Sequence, residues 1–243
     1  GSPGSPSHSP AAEEAIRCAT QVLKMFATVG DDDAIGSKLN EQFFNVALDG
    51  DIDEVKRLLR EGAAADGHKN SDGGTALMGA SWKRHAGVVQ ALLEADADKD
   101  AKDNNGATAL MFASVVSGAA EVVQVLLEAG ADKDARDGSG ITALLEASRV
   151  GHAEVVQALL EVGADKGAQS NDGFTALMRA TSNGHSAIVA LLDPTGENKT
   201  ATEKALTDKV DAGAGAGDEE DDFRDALESA IFQTQTETNC HCQ

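Results

Sequence analysis

The sequence predicts an all-α solenoid of about five helix-turn-helix units, and three observations carry the prediction. The phrase T-A-L-[ML]-x-A recurs at Thr75, Thr108, Thr142 and Thr175, at offsets of 33, 34 and 33 residues. A second phrase follows each of the first three copies, as "GVVQALLEADADKDAKD", "EVVQVLLEAGADKDARD" and "EVVQALLEVGADKGAQS". A weaker leading copy starts at Gly50 with "GDIDEVKRLLREGAAAD", and a last copy breaks off at "IVALLDP". These set the units at about 37–71, 72–104, 105–138, 139–171 and 172–193.

Each unit can be read from local chemistry. A Thr behind a Gly-containing turn caps a short first helix, as in "TALLEAS" from Thr142, whose small alanines let neighbouring backbones approach closely. In the second helix, "HAEVVQALLEV", Val155, Val156, Leu159 and Leu160 form one stripe while Glu154, Gln157 and Glu161 face out. Gly163 supplies the left-handed residue that ends it. Four such side chains bury too little to hold one unit against chain entropy, so stacking is obligatory. Three irregularities interrupt the register. Unit three has one extra residue in "SVVSGAAEVV", Arg84 stands where Gly151 and Gly184 make the tight turn, and Asp96 replaces the helix-ending Gly130 or Gly163. A positive φ at Arg84 costs about 1 kcal/mol relative to Gly, and Asp tolerates that conformation better.

A helix, a tight turn, a second helix and an Asp/Gly-rich loop at a 33-residue period resembles the ankyrin repeat over roughly two thirds of the chain. The family's T-P-L-H reads "TALM" or "TALL" here, so Ala takes the place of the first-turn Pro, and Met78, Met111, Leu145 and Met178 that of the His. The first change is mild because Ala is a good helix former. The second exchanges an inter-repeat hydrogen bond for apolar packing, with a somewhat looser stack expected. The resemblance also makes His85, His152 and His185 the turn histidines that start second helices; a repeat width of roughly 10 Å keeps them from sharing one metal ion.

The resemblance further implies a partner on the concave side, made by the first helices and the hairpin-like loops. The residues that end the first helices there are Leu48 and Asp49, Trp82 and Lys83, Val115 and Val116, Arg149 and Val150, and Ser182 and Asn183. Gly74, Ala107, Ile141 and Phe174 precede each Thr, and Lys102, Arg136 and Gln169 lie in the same loops. The framework does not require apolar residues at Leu48, Trp82, Val115, Val116, Ile141, Val150 and Phe174, so these form the candidate interaction strip. Lys83, Lys102, Arg136 and Arg149 edge it with positive charge. Trp82 is read as an aromatic anchor; the competing reading has it covering a neighbouring flank helix or the extra residue of unit three. The expected ligand is an extended or helical protein segment, apolar at its centre and acidic at one end. A structural accessory subunit of a larger complex and a regulatory fragment of an enzyme are the other two readings.

The flanks differ from the repeats. "GSPGSPSHSP", residues 1–10, reads as a linker or processing remnant, and the missing initial Met as the sign of a chain that is not the complete primary product, whether fragment or processed form. Ser9 and Pro10 open an expected helix over 11–30, with Ile16, Leu23 and Phe26 on one side and Gly30 as its stop; it either caps the first unit or docks elsewhere. Residues 194–217 read as a linker and 234–243 as a tail. Between them, "DEEDDFRDALESAIFQ" (218–233) reads as an acidic amphipathic helix with Phe223, Leu227, Ala230 and Ile231 on its apolar side. It either folds back on the repeats, an intramolecular contact, or serves as a tethered peptide for another protein.

Composition narrows the rest. A net charge of −21 disfavours nucleic acid and anionic lipid as partners, leaving protein. No apolar run is long enough for direct membrane insertion. Cys18, Cys240 and Cys242 form no disulfide framework, which points to a reducing, intracellular setting, cytoplasmic by preference. "NCHCQ" lacks a fourth zinc ligand, and the Asp-rich loops lack the closing Glu of a calcium loop. No phosphate loop, nucleophile elbow or triad is present, so no catalytic residue, metal or cofactor is predicted.

Overall fold

The computed structural model describes residues 32–196 and Lys204, with side chains from Gly36 onward. The expected segments 1–10, 11–30, 218–233 and 234–243, and nearly all of the 194–217 linker, lie outside the described residues.

Among the described residues there are ten helices, paired in five units: α1 (Asp32–Asp49) with α2 (Ile52–Arg60), α3 (Ala76–Trp82) with α4 (Ala86–Glu94), α5 (Ala109–Val115) with α6 (Ala120–Glu128), α7 (Ala143–Val150) with α8 (Ala153–Glu161), and α9 (Ala176–Ser182) with α10 (Ser186–Leu192). No described segment forms a strand; one isolated bridge pairs Gln169 with Thr175. Helix α1 begins ahead of the expected boundary at 37 and runs through Gly36. A mid-helix Gly costs only about 1 kcal/mol relative to Ala.

The odd-numbered helices pack side by side as one layer and the even-numbered helices as a second. Leu77, Leu110 and Leu144 of the first layer meet Val88, Leu92, Val122, Leu126, Val155 and Leu159 of the second in one continuous core. Glu154, Gln157 and Glu161 are exposed, as the stripe requires. The Thr hydroxyls of Thr75, Thr142 and Thr175 accept from the amides of Met78, Leu145 and Met178. Thr108 has the same extended backbone, yet its buried hydroxyl has no partner among the described residues. Met78, Met111 and Leu145 are buried where the resemblance expected apolar packing.

Inter-unit hydrogen bonds come from the turns and from two rows of loops. A backbone carbonyl only accepts, so the histidine Nε2 atoms carry the proton and donate to the preceding unit: His85 to Leu48 (3.1 Å), His152 to Val115 (2.9 Å) and His185 to Arg149 (2.9 Å). Unit three has buried Ala119 in place of that histidine and an extended Val116 as its extra residue. At this seam Arg84 Nη1 donates to the Ser117 carbonyl at 3.1 Å. Arg84 and Asp96 both take the positive φ that their alignment with glycines predicts, 64° and 60°. Asp96→Gly is therefore expected to raise stability by about 0.5–1 kcal/mol in denaturant titration. Arg84→Gly should gain less, because the bond to Ser117 goes with the side chain.

In the hairpin row, one acceptor per unit folds the loop: Asn70, Asp103 and Asp137 through Oδ1 and Ser170 through Oγ, taking the amides of Gly74, Ala107, Ile141 and Phe174. Amides of Asn104, Gly138 and Asn171 donate to the carbonyls of Asp72, Asn105 and Ser139 in the preceding loop. The aspartate row works through carboxylates. The amides of Asp98, Asp132 and Asp165 donate at 2.8 Å to Asp66, Asp100 and Asp134 of the unit before. The Asp-rich loops are thus a joint between units as well as turns.

Burial pushes the Asp103 carboxyl above its usual value; bonds from the Ala107 and Asn105 amides oppose this, and the charges of Asp137 and Asp72 add to it. A carboxyl raised on folding binds its proton more tightly in the native state, so its contribution to stability falls as pH rises through the raised value. Asp103→Asn keeps the acceptor that Asn70 already provides and removes the charge. Thermal unfolding at pH 7 should show a gain of roughly a few tenths of a kcal/mol, modest because the group is half exposed, and the gain should shrink on acidification through the Asp103 titration.

Candidate functional site: the open side of the first-helix layer

The core claims most of each first helix and leaves a narrow face. In α3 only Gly79 and Trp82 are incompletely buried, three residues apart and so on one side of the helix. The same fourth and seventh positions are Phe112 and Val115 in α5, Glu146 and Arg149 in α7, and Arg179 and Ser182 in α9.

These positions interlock between units. Leu48 occupies the space a Cβ on Gly79 would need, so any larger residue there would have to displace the Leu48 side chain. One unit on, Trp82 meets Phe112 edge to face, with ring centroids 6.5 Å apart and planes at 88°. Phe112 is only 8% exposed. Trp82 thus rests on unit three through Phe112, and an open portion of the ring remains. In unit five the Arg179 guanidinium lies over the Phe174 ring, 5.7 Å from its centroid.

None of the eleven candidate residues is sealed inside the body. Leu48, Trp82, Lys83, Val115, Val116, Ile141, Arg149, Val150 and Phe174 are half-buried, and Lys102 and Arg136 are exposed. They divide into three groups. Leu48, Trp82 and Val116 pack against the core and serve it. Val115, Ile141, Val150 and Phe174 are partly exposed, all four in units three to five. The cations differ among themselves. Lys102 Nζ donates to the Arg136 carbonyl at 2.8 Å and Arg136 Nη2 to the Gln169 carbonyl, which fixes both side chains without neutralising them. Arg149 donates through Nε and Nη2 to Glu146 Oε2, at 3.0 and 2.8 Å. Its charge is compensated, which corrects its assignment to a free basic rim: at 5% and 17% side-chain exposure, Glu146 and Arg149 form an ion pair largely out of water.

Sequence reasoning missed Phe112, Glu146 and Arg179. The signal was present, because they occupy the x of T-A-L-[ML]-x-A, the position that changes identity in every copy.

The family model described as Ankyrin repeats (3 copies) matches residues 43–137 and again 132–203, more than half of the chain. The chain belongs to the ankyrin-repeat family. Ankyrin repeats are generally protein–protein interaction modules, and the resemblance drawn from the helix-turn-helix pattern and its 33-residue period is thereby established. No match was found among the curated proteins. Among the described residues, no ankyrin helix is long and apolar enough to cross a membrane.

Proposed function

We propose that the protein is a non-catalytic ankyrin binding module whose ligand is a polypeptide segment laid along the open side of the first helices. The observation that carries this is the set Val115, Ile141, Val150 and Phe174: apolar and partly exposed in units three to five, with the Arg179 guanidinium over the Phe174 ring. Apolar side chains left partly open along one side of consecutive units are the kind of surface that marks an interaction site. Lys102 and Arg136 beside them favour a ligand with negative charge at one end. Trp82 contributes the open portion of its ring at the unit-two end.

The test is capture from native lysate by the wild-type chain, by Val150→Glu/Phe174→Glu, and by Val162→Glu, which places a charge at an exposed position after α8. Proteins retained by wild type and Val162→Glu but lost from the double variant support the proposal. Identical capture by all three would sink it.

A further inference from the structure

We infer that a crevice on the second-helix side, between units one and two, receives a lysine side chain of a partner polypeptide, independently of the first-helix surface. The cavity measures about 550 Å³ and lies between the C-terminal ends of α2 and α4. Leu59, Ala63, Ala64 and Ala65 give it an apolar wall, and Asp66 and Asp96 bring two carboxylates. Among the described residues that line it, none is basic. The two helix ends add partial negative charge to that of the aspartates.

The later seams show what fits such a place. Ala65 stands where the following units have Lys99, Lys133 and Lys166. Lys99 Nζ lies 4.0 Å from Asp100 Oδ2, and its Cε is 3.9 Å from where a Cβ on Gly130, just past α6, would stand. Lys133 Nζ donates to Asp134 Oδ2 at 2.8 Å. Lys166 has Gly167 beside it in place of an aspartate and donates instead to the Leu191 carbonyl, in the last turn of the next second helix, at 3.4 Å. The array thus supplies its own ammonium on an alkyl stem at three seams and only a methyl group at the first.

The aspartates repeat the same contrast. Asp66, Asp100 and Asp134 each use one oxygen to accept an amide of the following unit. The second oxygen of Asp100 and of Asp134 faces a lysine, whereas Asp66 has no ion pair among the described residues. Asp96 adds a further carboxylate at a position that Gly130 and Gly163 hold in the next two units, and does so at a φ of 60°. A lysine suits this lining because its stem lies along apolar surface while its ammonium meets the carboxylates. The volume is that of a site for a ligand larger than one side chain, so the backbone flanking the lysine has room as well.

The probe is the peptide acetyl-Ala-Lys-Ala-amide, titrated into the full isotope-labelled chain at physiological salt and followed by amide chemical shifts. One ammonium on a short peptide gives an affinity on the order of 1 mM, and the shifts should be confined to residues 63–67 and 95–96. The same peptide with its lysine acetylated should bind at least about tenfold more weakly. Two variants should each weaken binding of the unmodified peptide at least about tenfold. Ala65→Lys fills the crevice from within, as the later units do. Asp66→Asn/Asp96→Gly keeps an acceptor for the Asp98 amide and removes both charges. Far-UV circular dichroism checks that each folds, and if one misfolds the other decides. Val150→Glu/Phe174→Glu should bind the peptide as wild type does, which keeps this site apart from the first-helix surface. Equal binding of the acetylated peptide, shifts spread over the aspartates of every seam, or undiminished binding to a folded crevice variant overturns the inference. Butylamine binding as tightly as the peptide also overturns it, by assigning the crevice to free amines.

Discussion

Leu144→Ala is expected to lower stability by about 3 kcal/mol, within the range of about 2–5 for emptying a well-packed leucine site. Leu144 is 1% exposed and sits in α7, between its first-layer neighbours α5 and α9 and against α8, the second helix of its own unit. Alanine is already the commonest neighbour in this core, with Ala113, Ala143, Ala147 and Ala180 all buried, so there are few long side chains able to swing into the void. The manner of unfolding should also change. Each unit contacts only its neighbours, so a defect in unit four weakens two seams and leaves units one and two untouched. Denaturant titration followed by far-UV circular dichroism should show an earlier and broader transition, while Trp82 emission, reporting from unit two, should move less. Coincident shifts in both probes would mean that the array unfolds as a single cooperative body and that the nearest-neighbour picture is wrong for this chain.

Arg149→Ala should be as damaging, at about 3 kcal/mol, although no core volume is lost. Removing the guanidinium leaves the Glu146 carboxylate 5% exposed and without its donor, and an uncompensated buried charge is the costly outcome of breaking such a pair. Replacing both partners, as Glu146→Leu/Arg149→Met, should recover most of the loss, since an apolar pair of similar volume needs no hydration. A double-mutant cycle by thermal unfolding checks this. Equal destabilisation by the single and double variants would show that packing of the Arg149 stem, not charge, is what unit four loses.

Much of this architecture could be read from the amino-acid order. The period located every helix pair within the described residues, and aligning the turns predicted left-handed backbone at Arg84 and Asp96, because a position held by glycine in sister units reports a backbone shape and not a side-chain contact. The face was less legible. By sequence Arg149 belongs to the positive edge of the strip, although Glu146 three residues earlier on the same helix is a partner visible from spacing alone. Whether that pair would be shielded depended on the neighbouring first helices, which no single unit contains. The contact of Trp82 with Phe112 is of the same kind: both residues are plain in the sequence, but 30 positions apart, and only the stagger between units brings the rings together. Likewise the aspartates of the loops read as turn formers unit by unit, and their second task appears only when two loops are laid side by side.

That row of loop carboxylates has a direction, and therefore an end. Asp66, Asp100 and Asp134 each receive an amide from the unit that follows, and the next position in the series is Gly167. A glycine there offers nothing to a successor. The seam between units four and five therefore lacks the carboxylate acceptor that aligns the three seams before it, and Gly167→Asp is the substitution that would offer one there.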